Sequence, residues 1–192
     1  MSAPQVLAIS ASPAASSKSS ELAGSVLSRL QSQGIDTVHV LARGLEPTAL
    51  LAADHEHPSI IELTRAVERA HGVVLVTPIY KASYSGLLKV VLDVLPQFAL
   101  AGKVVLPLAT GGSPAHVLAL DYGLRPVLQS MGARHIVQSH FIADAQITRS
   151  PFGLDPSAEA PMICALNNFV HSLTDDDGVR WLGHPRPPFM AS

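Results

Sequence analysis

TPIYKASYSGLLK, residues 77–89, is the stretch on which the fold turns. Its first residue closes an apolar run, VVLVT (73–77), and its last residues open a segment whose apolar positions recur at helical spacing. A continuous apolar run of strand length suits burial on both faces, the situation of a central strand in a parallel sheet. A helix directly after it makes one βα unit, and polar and aromatic residues crowd the junction. That junction is the carboxyl end of a strand, where open parallel sheets bind their ligands.

The same alternation extends outward in both directions. Further strands are predicted at 6–10, 37–41, 104–109 and 135–138. Leu22, Val26, Leu27 and Leu30 share one helical stripe, with Ser19 or Ser20 as N-cap and Gly34 as the stop. Ile60, Leu63 and Val67 mark a second helix over 59–70, with Gly72 just past its end. A third starts near Ser85 and ends before Pro96; a fourth spans 114–131 and a fifth 159–173. Five strands alternating with five helices predict an α/β three-layer sandwich: a five-stranded parallel sheet with helices on both faces. Residues 43–58 are less regular.

Length and composition bound the rest. At 192 residues, 47% hydrophobic and 15% charged, the chain can bury one core but not two, so a single domain over 1–174 is expected. The tail, 175–192, is expected to be extended or disordered, with Trp181 and Phe189 available to dock on a neighbouring subunit. A formal net charge of -2 offers no surplus cation to a polyphosphate backbone, which argues against a nucleic-acid partner. One cysteine, Cys164, cannot form an internal disulfide or a multi-thiolate metal site and fits a reducing compartment. The amino terminus shows neither a basic leader nor an apolar run of spanning length, so no membrane and a cytoplasmic location are expected.

Three loops follow predicted strands one, three and four. SASPAASSKSS (10–20) supplies hydroxyls, backbone N–H groups, a helix start and Lys18, which suits a monophosphate. It matches neither the nucleoside-triphosphate nor the dinucleotide glycine motif. In the second loop Pro78 and Tyr80 can form a turn with an aromatic wall, and Gly86 permits close approach. The third, ATGGSPAH (109–116), lets backbone lie against a flat ligand. Each loop alone is also the make-up of an ordinary βα connection; their coincidence at three strand ends is the signal. In the fourth helix Val117, Leu120, Leu124, Val127 and Met131 keep an apolar stripe, but Pro126 interrupts the interior. It lacks an N–H and crowds the Tyr122 carbonyl, predicting a kink or π-bulge at Tyr122.

Residues 77–89, together with GKVVLPLATGGSPAHVLALDYGLRPVL (102–128), resemble the NADPH-dependent FMN reductases of the flavodoxin-like proteins. Within that family the likeness is to the FMN reductases serving two-component alkanesulfonate monooxygenases, and it covers about 6–138. The resemblance implies a flavodoxin-like fold, FMN and NADPH or NADH as cofactors, and hydride transfer to FMN with no catalytic side-chain acid or base. It further implies that reduced FMN passes to an FMN-dependent monooxygenase in sulfonate sulfur assimilation, and that the enzyme is a homo-oligomer, dimer or tetramer. The family's phosphate loop falls on Ser12, Ser17, Lys18, Ser19 and Ser20. Its T-P-x-Y turn falls on Thr77, Pro78, Ile79 and Tyr80, with Lys81 next to it, beside the isoalloxazine and ribityl chain. Thr110, Gly111, Gly112 and Ser113 would border the flavin's other side. Arginine is frequent early in the family's first loop, whereas Ala14 and Ala15 stand here, leaving Lys18 as the loop's cation. The family's π-type insertion gives Tyr122, with Tyr84, a role at a subunit contact or in flavin release.

Three other functions fit parts of the pattern: a quinone, azo or metal-ion reductase that retains FMN, a flavodoxin-like electron carrier, and a nucleotide-binding regulator. The mild charge and the Y-x-G-x-L-K continuation from Tyr84 to Lys89 weigh against the carrier. His55 and His57 read as a solvated loop, Cys164 as a small core residue, and Asp93 and Asp121 as polar helix faces. Lys81 and Arg125 read either as solvated charges or as contacts to an NADPH phosphate or partner.

Overall fold

The computed structural model describes residues 4–148 and 153–174. Its centre is three strands buried along almost their whole length: β1 (Gln5–Ser10), β3 (Gly72–Tyr80) and β5 (Val104–Gly111). β2 (Asp36–Leu41) flanks β1, and the opposite edge is formed by two short strands, β6 (His135–Ile136) and β7 (His140–Ala143), both paired with β5. The order β2-β1-β3-β5-β6 is parallel throughout. This is the flavodoxin-like doubly wound arrangement, whose switch point lies between β1 and β3.

Side chains alternate across each strand, so apolar runs feed two cores. Val6, Ala8, Val74, Val76, Leu106 and Leu108 pack with α1 (Lys18–Ser32) and α6 (Pro156–Thr174). Leu7, Ile9, Val73, Leu75, Val105 and Ala109 pack with α2 (Pro47–Ala52), α3 (Pro58–Arg69), α4 (Gly86–Asp93) and α5 (Arg125–Ser130). Gly72 is needed by this packing and not as a helix stop. A Cβ there would stand 2.6 Å from the Phe169 ring and 2.7 Å from Leu173, so its absence lets α6 lie on β3. α3 already ends at Arg69, capped by Ala70.

Several sequence expectations need correction. The irregular stretch contains α2, started by Pro47 at its first turn and by the Glu46 carboxylate, 2.6 Å from the Ala49 amide. α1 is capped by Ser17 rather than Ser19 or Ser20, because Ser19 turns inward to a partner on β5. The fifth strand is split between β6 and β7, and the segment predicted as one helix over 114–131 is three pieces. A 3-10 turn (Pro114–His116) and a π-helical turn (Leu120–Leu124) precede α5, and Val117 is exposed while Leu120, Leu124 and Leu128 are buried. Cys164 is exposed on α6, not part of the core. The predicted tail and its Trp181 and Phe189 lie outside the described residues. Among those described, no helix is long and apolar enough to cross a membrane.

Candidate active site at the carboxyl edge of the sheet

Strand register brings the three loops side by side. Ser10 pairs with Val76, and Pro78 pairs with Thr110, so the ends of β1, β3 and β5 are neighbours. Eight polar residues are buried among the described ones, and seven lie here: Ser10, Ser12, Ser17, Ser19, Thr77, Ser85 and Thr110. Burying hydroxyls is costly unless they are bonded; each of these has a hydrogen-bond partner, and some of the bonds join one loop to the next. Ser19 Oγ is 2.8 Å from Thr110 Oγ1. The Ser85 hydroxyl donates to the Ala11 carbonyl at 2.6 Å while accepting from the Leu88 amide at 3.1 Å as the cap of α4. The Ser85 amide in turn donates to Thr77 Oγ1 at 2.9 Å.

The first loop ends at the positive terminus of α1. Ser17 Oγ accepts from the Ser20 amide at 3.4 Å, and Ser12 Oγ from the Ala14 amide at 3.2 Å. Among the described residues, no acceptor faces the amides of Ser16, Ser17, Lys18 and Ser19. Unpaired N–H groups at a helix start are the kind of group that can receive an anion. The Lys18 ammonium is shared between the Glu21 carboxylate at 3.0 Å and the Ile147 carbonyl at 3.3 Å, so its charge is partly neutralised within the chain. Below the loop, Ser20 Oγ is 3.3 Å from Ser10 Oγ, itself 3.0 Å from His39 Nε2. Burial pushes the His39 pKa down.

The second loop differs from its sequence reading. Thr77, Pro78, Ile79 and Tyr80 are not a turn but the end of β3, which folds back on β4 (Ser83–Tyr84) with Ile79 opposite Tyr84 and Tyr80 opposite Ser83. The turn is Lys81–Ala82, both left-handed with φ of 50° and 62°. Two positive φ values in a two-residue connection match the twist of a tight hairpin. Tyr80 projects half exposed beside it. Tyr84 is partly buried, which raises its pKa, and a Cβ on Gly123 would lie 3.7 Å from its ring. In the third loop Gly111 lies against Phe141, whereas a Cβ on Gly112 would meet open space, and the Ser113 hydroxyl caps the 3-10 turn. A flat ligand can approach the backbone at Gly112.

The predicted distortion at Tyr122 is present. The Arg125 amide bonds to the Leu120 carbonyl, the i→i−5 spacing of a π turn, and Pro126 follows at the start of α5. Tyr122 is 79% exposed, next to exposed Val117 and Leu118. Arg125 is not a free surface charge. Its guanidinium donates to Asp121 Oδ1 (3.3 Å), the carbonyls of Ile136 (3.2 Å) and Val137 (3.4 Å), and Ser139 Oγ (3.3 Å), tying the π turn to β6. His57 caps α3 and His55 bonds to the Val94 carbonyl, and no metal-binding cluster occurs among the described residues. Asp93 pairs with Lys89 on the surface of α4.

The sequence signature described as "NADPH-dependent FMN reductase" matches residues 4–148, which contain all three loops. The chain belongs to the NADPH-dependent FMN reductase family. Among curated relatives, an "FMN reductase (NADPH)" of Escherichia coli (strain K12) is 41% identical over 173 residues, 88% of this chain and 90% of its own. One of the same description from Pseudomonas putida strain KT2440 is 38% identical over 182 residues, 95% of this chain and 90% of its own. Among solved structures, the apo form of an NADH:FMN oxidoreductase (EMOB) superposes with a TM-score of 0.88 at 46% identity, covering 98% of this chain and all of the other. As an FMN reductase of this family the protein is an oxidoreductase that uses FMN with NADPH or NADH. His39, which meets Ser10 beneath the first loop, is absent from the sequence reading, while Ser10 entered it only as the start of that loop and Ser85 only as a helix start. The signal for His39 was parity: it is a polar residue alternating with Val38 and Val40 on a strand.

Proposed function

We propose that the enzyme binds FMN across these three strand ends, reduces it with NAD(P)H, and releases reduced FMN to a flavin-dependent monooxygenase in sulfonate sulfur assimilation. The observation that carries the reading is the cradle of four amides at α1, joined by Ser19 and Thr110 to the open backbone of Gly112. In this reading Ser12, Ser17, Lys18, Ser19 and Ser20 hold the phosphate. Thr77, Pro78, Ile79, Tyr80 and Lys81 line the ring and ribityl chain on one side, and Thr110, Gly111, Gly112 and Ser113 line the other. Bound FMN supplies the redox chemistry by accepting hydride from the reduced nicotinamide. The chain's part is to fix ring orientation, keep Tyr80 available for stacking, and place backbone donors at the polar edge. Tyr84 and Tyr122 lie at a contact between copies of the chain, in a dimer or tetramer, and govern flavin release. The enzyme works in the cytoplasm as one domain.

Anaerobic mixing with NADPH and NADH, with and without FMN, tests this. A colourless protein that oxidises nicotinamide when FMN is added, and then drives a sulfonate-cleaving monooxygenase to release sulfite, is expected. A yellow protein that retains one FMN per chain and leaves added FMN oxidised would instead mark a quinone, azo or metal-ion reductase.

A further inference from the structure

We propose that His39 is a positioning residue for the phosphate loop, setting through Ser10 the direction in which the Ser20 hydroxyl offers its proton. The inference rests on reading residues 12–20 as the phosphate site.

Val38 and Val40 pack with the α3 side of the molecule, so His39 between them faces α1. Ser10 shares the parity of Val6 and Ala8 and points the same way. The result is a line of three groups under the first turn of α1: His39 Nε2, Ser10 Oγ at 3.0 Å, and Ser20 Oγ at a further 3.3 Å. Ser10 is 1% exposed, so its proton goes to one of these two partners. If His39 Nε2 accepts, Ser10 donates to the ring, Ser20 donates inward to Ser10, and only lone pairs of Ser20 face outward. If Nε2 carries the proton, it donates to Ser10, Ser10 donates to Ser20, and the Ser20 proton is free for an anion. An anion above the first turn therefore favours the second arrangement, and a ring donor at position 39 strengthens anion binding in return. Burial lowers the pKa of His39, so near neutral pH the choice is one of tautomer. Neither Ser10 nor His39 touches the flavin ring in this scheme, so its effect is confined to the phosphate.

Riboflavin, which has the ring and lacks the phosphate, separates this role from a general structural one. Dissociation constants from flavin-fluorescence titration, with KM and kcat, are to be measured for FMN and riboflavin on the full-length enzyme. His39→Ala should weaken FMN about tenfold, the equivalent of one hydrogen bond, with riboflavin changed less than about twofold and kcat maintained. His39→Gln, whose side-chain amide N–H can donate from near the Nε2 position, should recover most of the loss. His39→Leu, which fills the space without a donor, replaces Ala if that variant does not fold. Equal losses for FMN and riboflavin, or a Gln variant no better than Ala or Leu, would overturn the inference. Ser12→Ala and Ser20→Ala identify the cause of a failure. If they discriminate FMN from riboflavin and His39→Ala does not, the phosphate site stands and the role of His39 falls; if none discriminates, the phosphate reading falls and takes the inference with it.

Discussion

The Ser19 hydroxyl on α1 lies 2.8 Å from the Thr110 hydroxyl at the end of β5, 91 residues away in the chain, and both side chains are almost fully buried. The bond fastens the first loop to the third. Ser19→Ala leaves the Thr110 hydroxyl buried without this partner and should cost about 1–3 kcal/mol in urea unfolding. The double variant Ser19→Ala/Thr110→Val removes both polar groups and should be less destabilised than the sum of the single changes. Strict additivity would show that the two hydroxyls act independently.

The hairpin turn between β3 and β4 is built from two non-glycine residues in the left-handed region, Lys81 and Ala82. Ala82→Gly relieves a Cβ clash and should stabilise the fold by about 1 kcal/mol. Ala82→Val should destabilise it by more, because β-branched residues tolerate positive φ least. Thermal unfolding of both variants checks the order; a glycine variant less stable than wild type would contradict it.

Arg125 holds the π turn through a fork of donors that lysine cannot copy. Arg125→Lys and Arg125→Met are expected to lose similar stability, about 1–3 kcal/mol, and to speed amide exchange over 120–124 and 135–137. Full protection in the lysine variant would mean that charge alone suffices.

Tyr122 is 79% exposed, and Tyr122→Ala should leave the stability of an isolated chain within about 0.5 kcal/mol. Flavin affinity, reductase turnover or the sedimentation coefficient should nevertheless change. If all three stay at wild-type values, the proposed role at a subunit contact and in flavin release is wrong.

His39, His135 and His140 are each pushed below the ordinary histidine pKa by burial. His135 Nδ1 is buried with no partner among the described residues, while its Nε2 meets the Ser172 hydroxyl at 3.1 Å. The unfolded chain then binds protons more readily than the folded one, so their contribution is present above about pH 6.5 and is lost as pH falls through the lowered folded values. The melting temperature should drop between pH 7.5 and 5.5, and His135→Gln with His140→Gln should flatten that slope. An unchanged slope in the double variant would assign the acid sensitivity elsewhere.

The layered fold was legible because two-sided burial leaves a simple trace: unbroken apolar runs for β1, β3 and β5, and striped segments for α1 and α3. What the sequence concealed lies at the carboxyl edge. Pro78 and the lack of glycine or asparagine in KA disguised a strand that continues to Tyr80 and a hairpin that turns on Lys81 and Ala82. The π turn was readable because proline imposes a specific local defect, whereas the division of the far edge into β6 and β7 carries no local mark. Cys164 sits in an apolar run but falls on the outer side of α6. Which hydroxyl caps a helix and which turns inward, Ser17 or Ser19, depends on Thr110, and no window of sequence contains both.

The first loop is fastened at three points: to β5 through Ser19, to α4 through the Ala11 carbonyl and Ser85, and to β1 through Ser20 and Ser10. A segment moored in this way has its shape before any visitor arrives. A ligand that settles there then incurs little ordering cost, and more of each contact counts towards its affinity.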